Sequence, residues 1–83
     1  MVNEKTSLYS VDDINSELVR AVLKEVYSAL EERGYNPINQ LVGYIISGDP
    51  GYISSYKDSR SKIQKLDRSK IVEILLTDFQ VRI

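Results

Sequence analysis

The segment from Gly34 to Pro50 constrains this chain more than any other. It holds one complete short helix, the stop signal of the helix before it and the start signal of the helix after it. Gly34 suits the left-handed position just past a helix end, where a Cβ would clash. Asn36 can accept a bond from free backbone N–H groups, and Pro37 fits the first helical position, where its missing donor is not needed. Ile38, Leu41, Val42, Ile45 and Ile46 then recur at helical spacing, and Gly48 closes the helix. Asp49 and Pro50 repeat the cap-plus-proline start. Inside this helix Gly43 costs up to about 1 kcal/mol relative to alanine, which is tolerable if another backbone crosses closely there.

The same periodicity organises the rest of the chain. Asp12 and Asp13, or Asn15 and Ser16, offer caps for a first long helix, with Glu17 in its first turn. Leu18, Val19, Val22, Leu23, Val26, Tyr27 and Leu30 fall three and four residues apart and make a wide stripe, and Glu31 to Arg33 end the helix. Pro50 to about Tyr56 reads as a third helix weakened by Gly51, and Lys57 to Lys62 as a turn or an exposed helical link. Ile63 and Leu66 return to core spacing. Asp67 caps a last helix with a broad apolar face formed by Ile71, Val72, Ile74, Leu75, Leu76 and Phe79. The expected fold is all-α, a small bundle of four to five short helices. Residues 1–11, polar and short of periodic apolar positions, form a flexible N-terminal arm, and residues 12–83 form a single helical domain.

Composition limits what such a domain can be. A single core in 83 residues supplies roughly 3–5 kcal/mol, and small scaffolds usually need a staple. The chain has no cysteine and no histidine, so neither a disulfide framework nor a cysteine- or histidine-based metal site is available. Self-association remains as the staple, so a homodimer is expected. The almost wholly apolar helix from Pro37 to Ser47 is the expected interface, with Ile38, Leu41, Val42, Tyr44, Ile45 and Ile46 as its candidate residues. No cofactor is expected. Eleven basic residues stand against twelve acidic ones, a balance that argues against a nucleic-acid binder. No apolar run approaches the roughly 20 residues of a membrane span, and the first ten residues lack the apolar core of a signal peptide. The expected location is the cytoplasm, without membrane insertion.

The central wording also resembles a known family. Members of the bacterial IreB family, small helical regulatory proteins, read nearly G-Y-N-P-I-N-Q-x-V-G-Y-x-x-S-G-D-P-x-Y-I here. The likeness runs closely from about Leu23 to Lys65 and more loosely to Phe79. Tyr56, Asp58, Arg60, Ile63 and Lys65 sit where the family has its N-A-R-x-x-I-R-K-like stretch. Ser59 and Gln64 depart from it, and Ser69 and Lys70 replace an acidic cluster at the start of the last helix.

The resemblance implies a compact helical homodimer without enzymatic activity. It implies phosphorylation of the arm on threonine by a membrane-bound Ser/Thr kinase with extracellular PASTA domains, and reversal by a cognate phosphatase. It further implies a role in cell-envelope stress signalling and resistance to cell-wall antibiotics through a downstream protein. The arm from Thr6 to Asp13 is similar to the family's T-x-x-F-x-x-D-D, which makes Thr6 one phosphoacceptor. The second acceptor position is Asn3 here and cannot be phosphorylated, so regulation by two phosphates does not carry over.

Other readings compete at individual residues. Asn36, Asn39 and Gln40 could line a small-molecule pocket and Asp49 could be a catalytic carboxylate, but at helix starts such residues ordinarily cap and bond neighbouring backbone. Tyr27, Tyr35, Tyr44, Tyr52 and Tyr56 could stack on bases, yet their placement at helix ends and on apolar stripes suits core and interface better. Lys57, Arg60, Lys62 and Lys65, continued by Arg68 and Lys70, form a basic run that could meet phosphate or an acidic protein. The alternative function is therefore a nucleic-acid-binding helical module, with the turn at Gly48 to Pro50 joining the two helices of a helix-turn-helix. An enzyme would have to work with carboxylates, Lys, Tyr or Ser, and no spacing pairs them as catalysis requires, so no catalytic residue is assigned.

Overall fold

The computed structural model describes residues 11–81, with side chains from residue 15. Thr6 and the rest of the expected arm before Val11 lie outside the described residues. Four α-helices and two 3-10 turns make up the described fold, all of them built on the longest helix. That helix, α1 (Val11–Glu32), packs against each of the other three. Its stripe delivers Val19, Val26, Ala29 and Leu30 to the core, with Val22 and Leu23 at the margin. Helical structure already begins at Val11, so Asp12, Asp13, Asn15 and Ser16 stand inside the first turns and not before them. At the other end Gly34 adopts φ 83°. The Gly34 N–H bonds the Glu31 carbonyl and the Tyr35 N–H the Leu30 carbonyl, both at 3.0 Å, the paired closure that a left-handed residue permits.

Helix α2 (Pro37–Ser47) is bounded as its sequence demands. Asn36 Oδ1 accepts the Asn39 N–H at 3.1 Å, Pro37 takes the first position, and Gly48 closes the helix at φ 76° by donating to the Tyr44 carbonyl. Arg68 donates from Nη1 to the free Ile45 carbonyl at 2.9 Å. Gly43 faces the ring of Tyr52, not another backbone: a Cβ at position 43 would overlap that ring. The expected close approach exists, but a side chain makes it.

The third helix expected from Pro50 to Tyr56 is absent. Asp49 does cap, with Oδ1 accepting the Gly51 N–H at 2.8 Å, but the coil lasts only one 3-10 turn, Pro50–Tyr52. Ile53 then takes an extended conformation and enters the core fully buried. Burying that side chain outweighs helix continuation through a segment already weakened by Gly51. A second 3-10 turn, Tyr56–Asp58, holds Lys57 and Asp58 at φ 54° and 59°, two left-handed residues in succession without a glycine. It leads into α3 (Ser59–Gln64), which buries Ile63 and Ser59, the Ser59 hydroxyl donating to the Tyr56 carbonyl at 2.7 Å. The last helix, α4 (Arg68–Val81), starts at Asp67, whose Oδ1 accepts both the N–H and the hydroxyl of Ser69. It contributes Ile71 and Ile74 to the core. None of the described helices is long and apolar enough to cross a membrane.

Candidate interaction face

The core accounts for only part of the apolar periodicity, and the remainder lies on the surface. On α2, Ile38, Val42 and Ile46 lie four residues apart and are 57%, 48% and 79% exposed. On α4, Val72, Leu76 and Phe79 make a second exposed stripe at helical spacing. Between these helices runs an apolar groove of about 440 Å³, floored by Leu23 and Tyr27 of α1 and walled by Ile38, Leu41, Val42 and Ile45 of α2 with Leu75 of α4. Lys24 and Ser28 are its polar lining residues. A contiguous apolar surface of this kind marks an interaction site more often than scattered exposed leucines do.

Among the expected interface residues, Ile38, Val42 and Ile46 are fully available, and Leu41 and Ile45 are divided between core and groove. Tyr44 is not available. It is 4% exposed in the core cluster because it lies on the side of α2 turned toward the centre of the domain. Apart from Tyr27, which suits core and interface alike, the α1 floor and the α4 wall were not assigned to the interface from sequence, because apolar residues on those helices read equally well as core.

The basic run does not form a free cationic patch. Lys57 lies 3.1 Å from Glu32, and Lys62 lies 3.1 Å from Glu25, both acids of α1. Arg60, though exposed, donates from Nε to the Ile53 carbonyl at 2.8 Å, which satisfies backbone next to a buried side chain. Arg68 is used on the Ile45 carbonyl, and Lys70 pairs with Glu73. Among the described residues, Lys65 alone of the run has no such partner. Within the domain α1 supplies carboxylates to Lys57 and Lys62 from a distant part of the sequence.

Glu32 gathers the most polar contacts on this side. Tyr56 Oη donates to it at 3.0 Å and Lys57 Nζ at 3.1 Å, while Arg33 and Lys57 stand 5.2 and 5.4 Å from the Tyr56 ring centroid. The hydrogen bonds from Lys57 and then Tyr56 hold the Glu32 carboxyl below its ordinary range, and the bond to Glu32 raises Lys57. Such a cluster pins the strained turn to the end of α1 without leaving an open anion site.

The caps read from sequence serve structure. Asn36 and Asp49 bond backbone N–H groups, and Gln40 donates to the Tyr52 carbonyl at 2.9 Å. Among the described residues no three His, Cys, Asp or Glu side chains form a group that could hold a metal ion. The helix-turn-helix reading loses its second helix, since Pro50 begins a single 3-10 turn and the next helix, α3, has six residues.

A family model described as IreB regulatory phosphoprotein matches residues 4–80. The chain belongs to the IreB family. The match takes in all the described helices except the last residue of α4, Val81, and reaches into the arm far enough to include Thr6. An IreB chain is described as a regulatory phosphoprotein, a role that fits a domain offering an apolar face.

Proposed function

We propose that this IreB-family protein is a non-enzymatic regulator in the cytoplasm. Its arm is phosphorylated on Thr6 by a membrane Ser/Thr kinase and dephosphorylated by a cognate phosphatase, in cell-envelope stress and antibiotic-resistance signalling. Its helical domain works through protein contacts, first with a second copy of itself and then with a downstream protein. The observation that carries the reading is the family match from residue 4 to residue 80, which spans Thr6 and the domain together. The apolar face formed by α2 and α4 supports the contact half of the proposal, because so small a core without disulfides gains stability when such a face is covered. Phosphorylation adds roughly −1.5 to −2 charge and strong acceptor oxygens, enough to change how an arm engages its surroundings.

Incubation with the kinase and site mapping by mass spectrometry test the switch. The label is expected on Thr6 and is expected to be mostly lost in Thr6→Ala. Undiminished labelling of that variant would reject the assignment.

A further inference from the structure

Most of the charge on helix α1 is answered within the domain. Glu17 stands 3.8 Å from Arg20, Arg20 pairs with Asp78, Glu25 with Lys62 and Glu32 with Lys57. Among the described residues of this helix, Lys24 and Glu31 are the charged side chains without an ion-pair or hydrogen-bond partner, and both are exposed. They stand seven residues apart, so they share one face of the helix about 10 Å apart along its axis.

That face is the crest of α1, turned away from buried Val19 and Val26. Lys24 and Ser28 line the apolar groove on one flank and a polar hollow of about 380 Å³ on the other, beside Glu25 and Glu32. Between the two unpaired charges lie Ser28, small and exposed, and Tyr27, which is 39% exposed and leads into the groove. A short side chain at the centre lets a second helix approach to the roughly 8–10 Å at which helices pack.

The order of the two charges is self-complementary only when two copies of α1 run antiparallel. A two-fold axis between Tyr27 and Ser28 sets Lys24 against the partner subunit's Glu31, and Glu31 against the partner subunit's Lys24, so two ion pairs flank the axis. A parallel pairing sets lysine against lysine and glutamate against glutamate, which is repulsive. The antiparallel approach also lays the second copy along the edge of the groove, where Ile38 and Val42 of α2 are exposed.

We propose that two copies of this chain meet across an antiparallel α1–α1 contact, centred beside Ser28 and fixed in register by two Lys24–Glu31 pairs. This inference rests on the self-association proposed above and adds its symmetry and its register.

A chain without cysteine makes the test direct. Ser28→Cys lies beside the axis, so oxidation should join two copies, the Cα atoms there falling within the roughly 4.4–6.8 Å that a disulfide spans. Ala21→Cys stands about 20 Å from its own copy in this register and should not link, whereas a parallel pairing would link both. Lys24→Glu and Glu31→Lys should each weaken self-association by about tenfold in sedimentation equilibrium at low salt, and the two together should restore it. A dimer in which Ser28→Cys fails to link, in which Ala21→Cys links as readily, or which the single charge reversals leave unchanged would overturn the antiparallel register and leave self-association standing. A chain that stays single at every concentration would overturn the self-association reading itself, and this inference with it.

Discussion

The phenol ring of Tyr52 occupies the space in which a side chain at Gly43 would have to stand. The backbone from which that ring projects is held in place, the Tyr52 carbonyl accepting the Gln40 side chain at 2.9 Å. An alanine at position 43 gains up to about 1 kcal/mol in helix propensity, but overpacking against a ring typically costs about 1–3 kcal/mol. Gly43→Ala is therefore expected to lower stability by about 1 kcal/mol in urea denaturation. In a Tyr52→Ala background the same substitution becomes neutral or stabilising. Equal effects in the two backgrounds would mean that the ring is not what keeps position 43 bare.

Two glycines with nearly equal φ make a second, comparative prediction. Gly34 and Gly48 both sit in the left-handed region, at 83° and 76°, but only Gly48 has a neighbour, the Arg68 guanidinium, in the path of a Cβ. Both alanine variants bear the left-handed penalty of about 1–2 kcal/mol. Gly48→Ala also displaces Arg68 from the Ile45 carbonyl and loses about 1 kcal/mol more. Thermal unfolding should rank Gly48→Ala below Gly34→Ala, and Arg68→Ala should close most of the gap between them.

The Glu32 cluster predicts a pH dependence of stability. Lys57 and then Tyr56 hold the Glu32 carboxyl below its ordinary 4.5, so the folded state binds this proton less readily than the unfolded chain. The contribution is complete above about 4.5 and is lost as the pH falls through the lowered value. The Ser69 hydroxyl and N–H act on Asp67 in the same direction from its ordinary 3.8. Lys57 is raised, so its share is present below its ordinary 10.5 and is lost only as the pH rises through the folded value. Denaturation between pH 5 and pH 3 is expected to show a shallower fall in stability for Glu32→Gln than for wild type, and a parallel fall would contradict the assignment.

Local chemistry was the legible part of this fold. Asn36 with Pro37, Asp49 with Pro50, Gly34, Gly48 and Asp67 each act on backbone a few residues away, and each sits at the boundary its residue type implies. Contacts across the chain were not legible. Nothing near Lys57 or Lys62 announces Glu32 and Glu25, more than twenty residues earlier, so a paired surface read as a basic run. The bend at Ile53 was hidden because an isoleucine after a proline start suits a helix, and only the core decides that it leaves one. Lys57 and Asp58 carry no glycine to signal their left-handed backbone. For the face, apolarity all round α2 made an interface evident but could not separate buried Tyr44 from exposed Ile46. The groove's α1 floor needed the packing of three helices to appear.

The claim that the α2–α4 face is the working surface of the domain is tested most directly by the mass of the particle in solution. Sedimentation velocity on the wild-type chain should give about twice the 9.5 kDa of one chain. Val42→Asp places a charge in the middle of the groove wall, on a residue exposed within the protomer, and should give one chain's mass with helical content unchanged. A wild-type protein that sediments as a single chain at every concentration, or a Val42→Asp variant that remains double, would contradict the account.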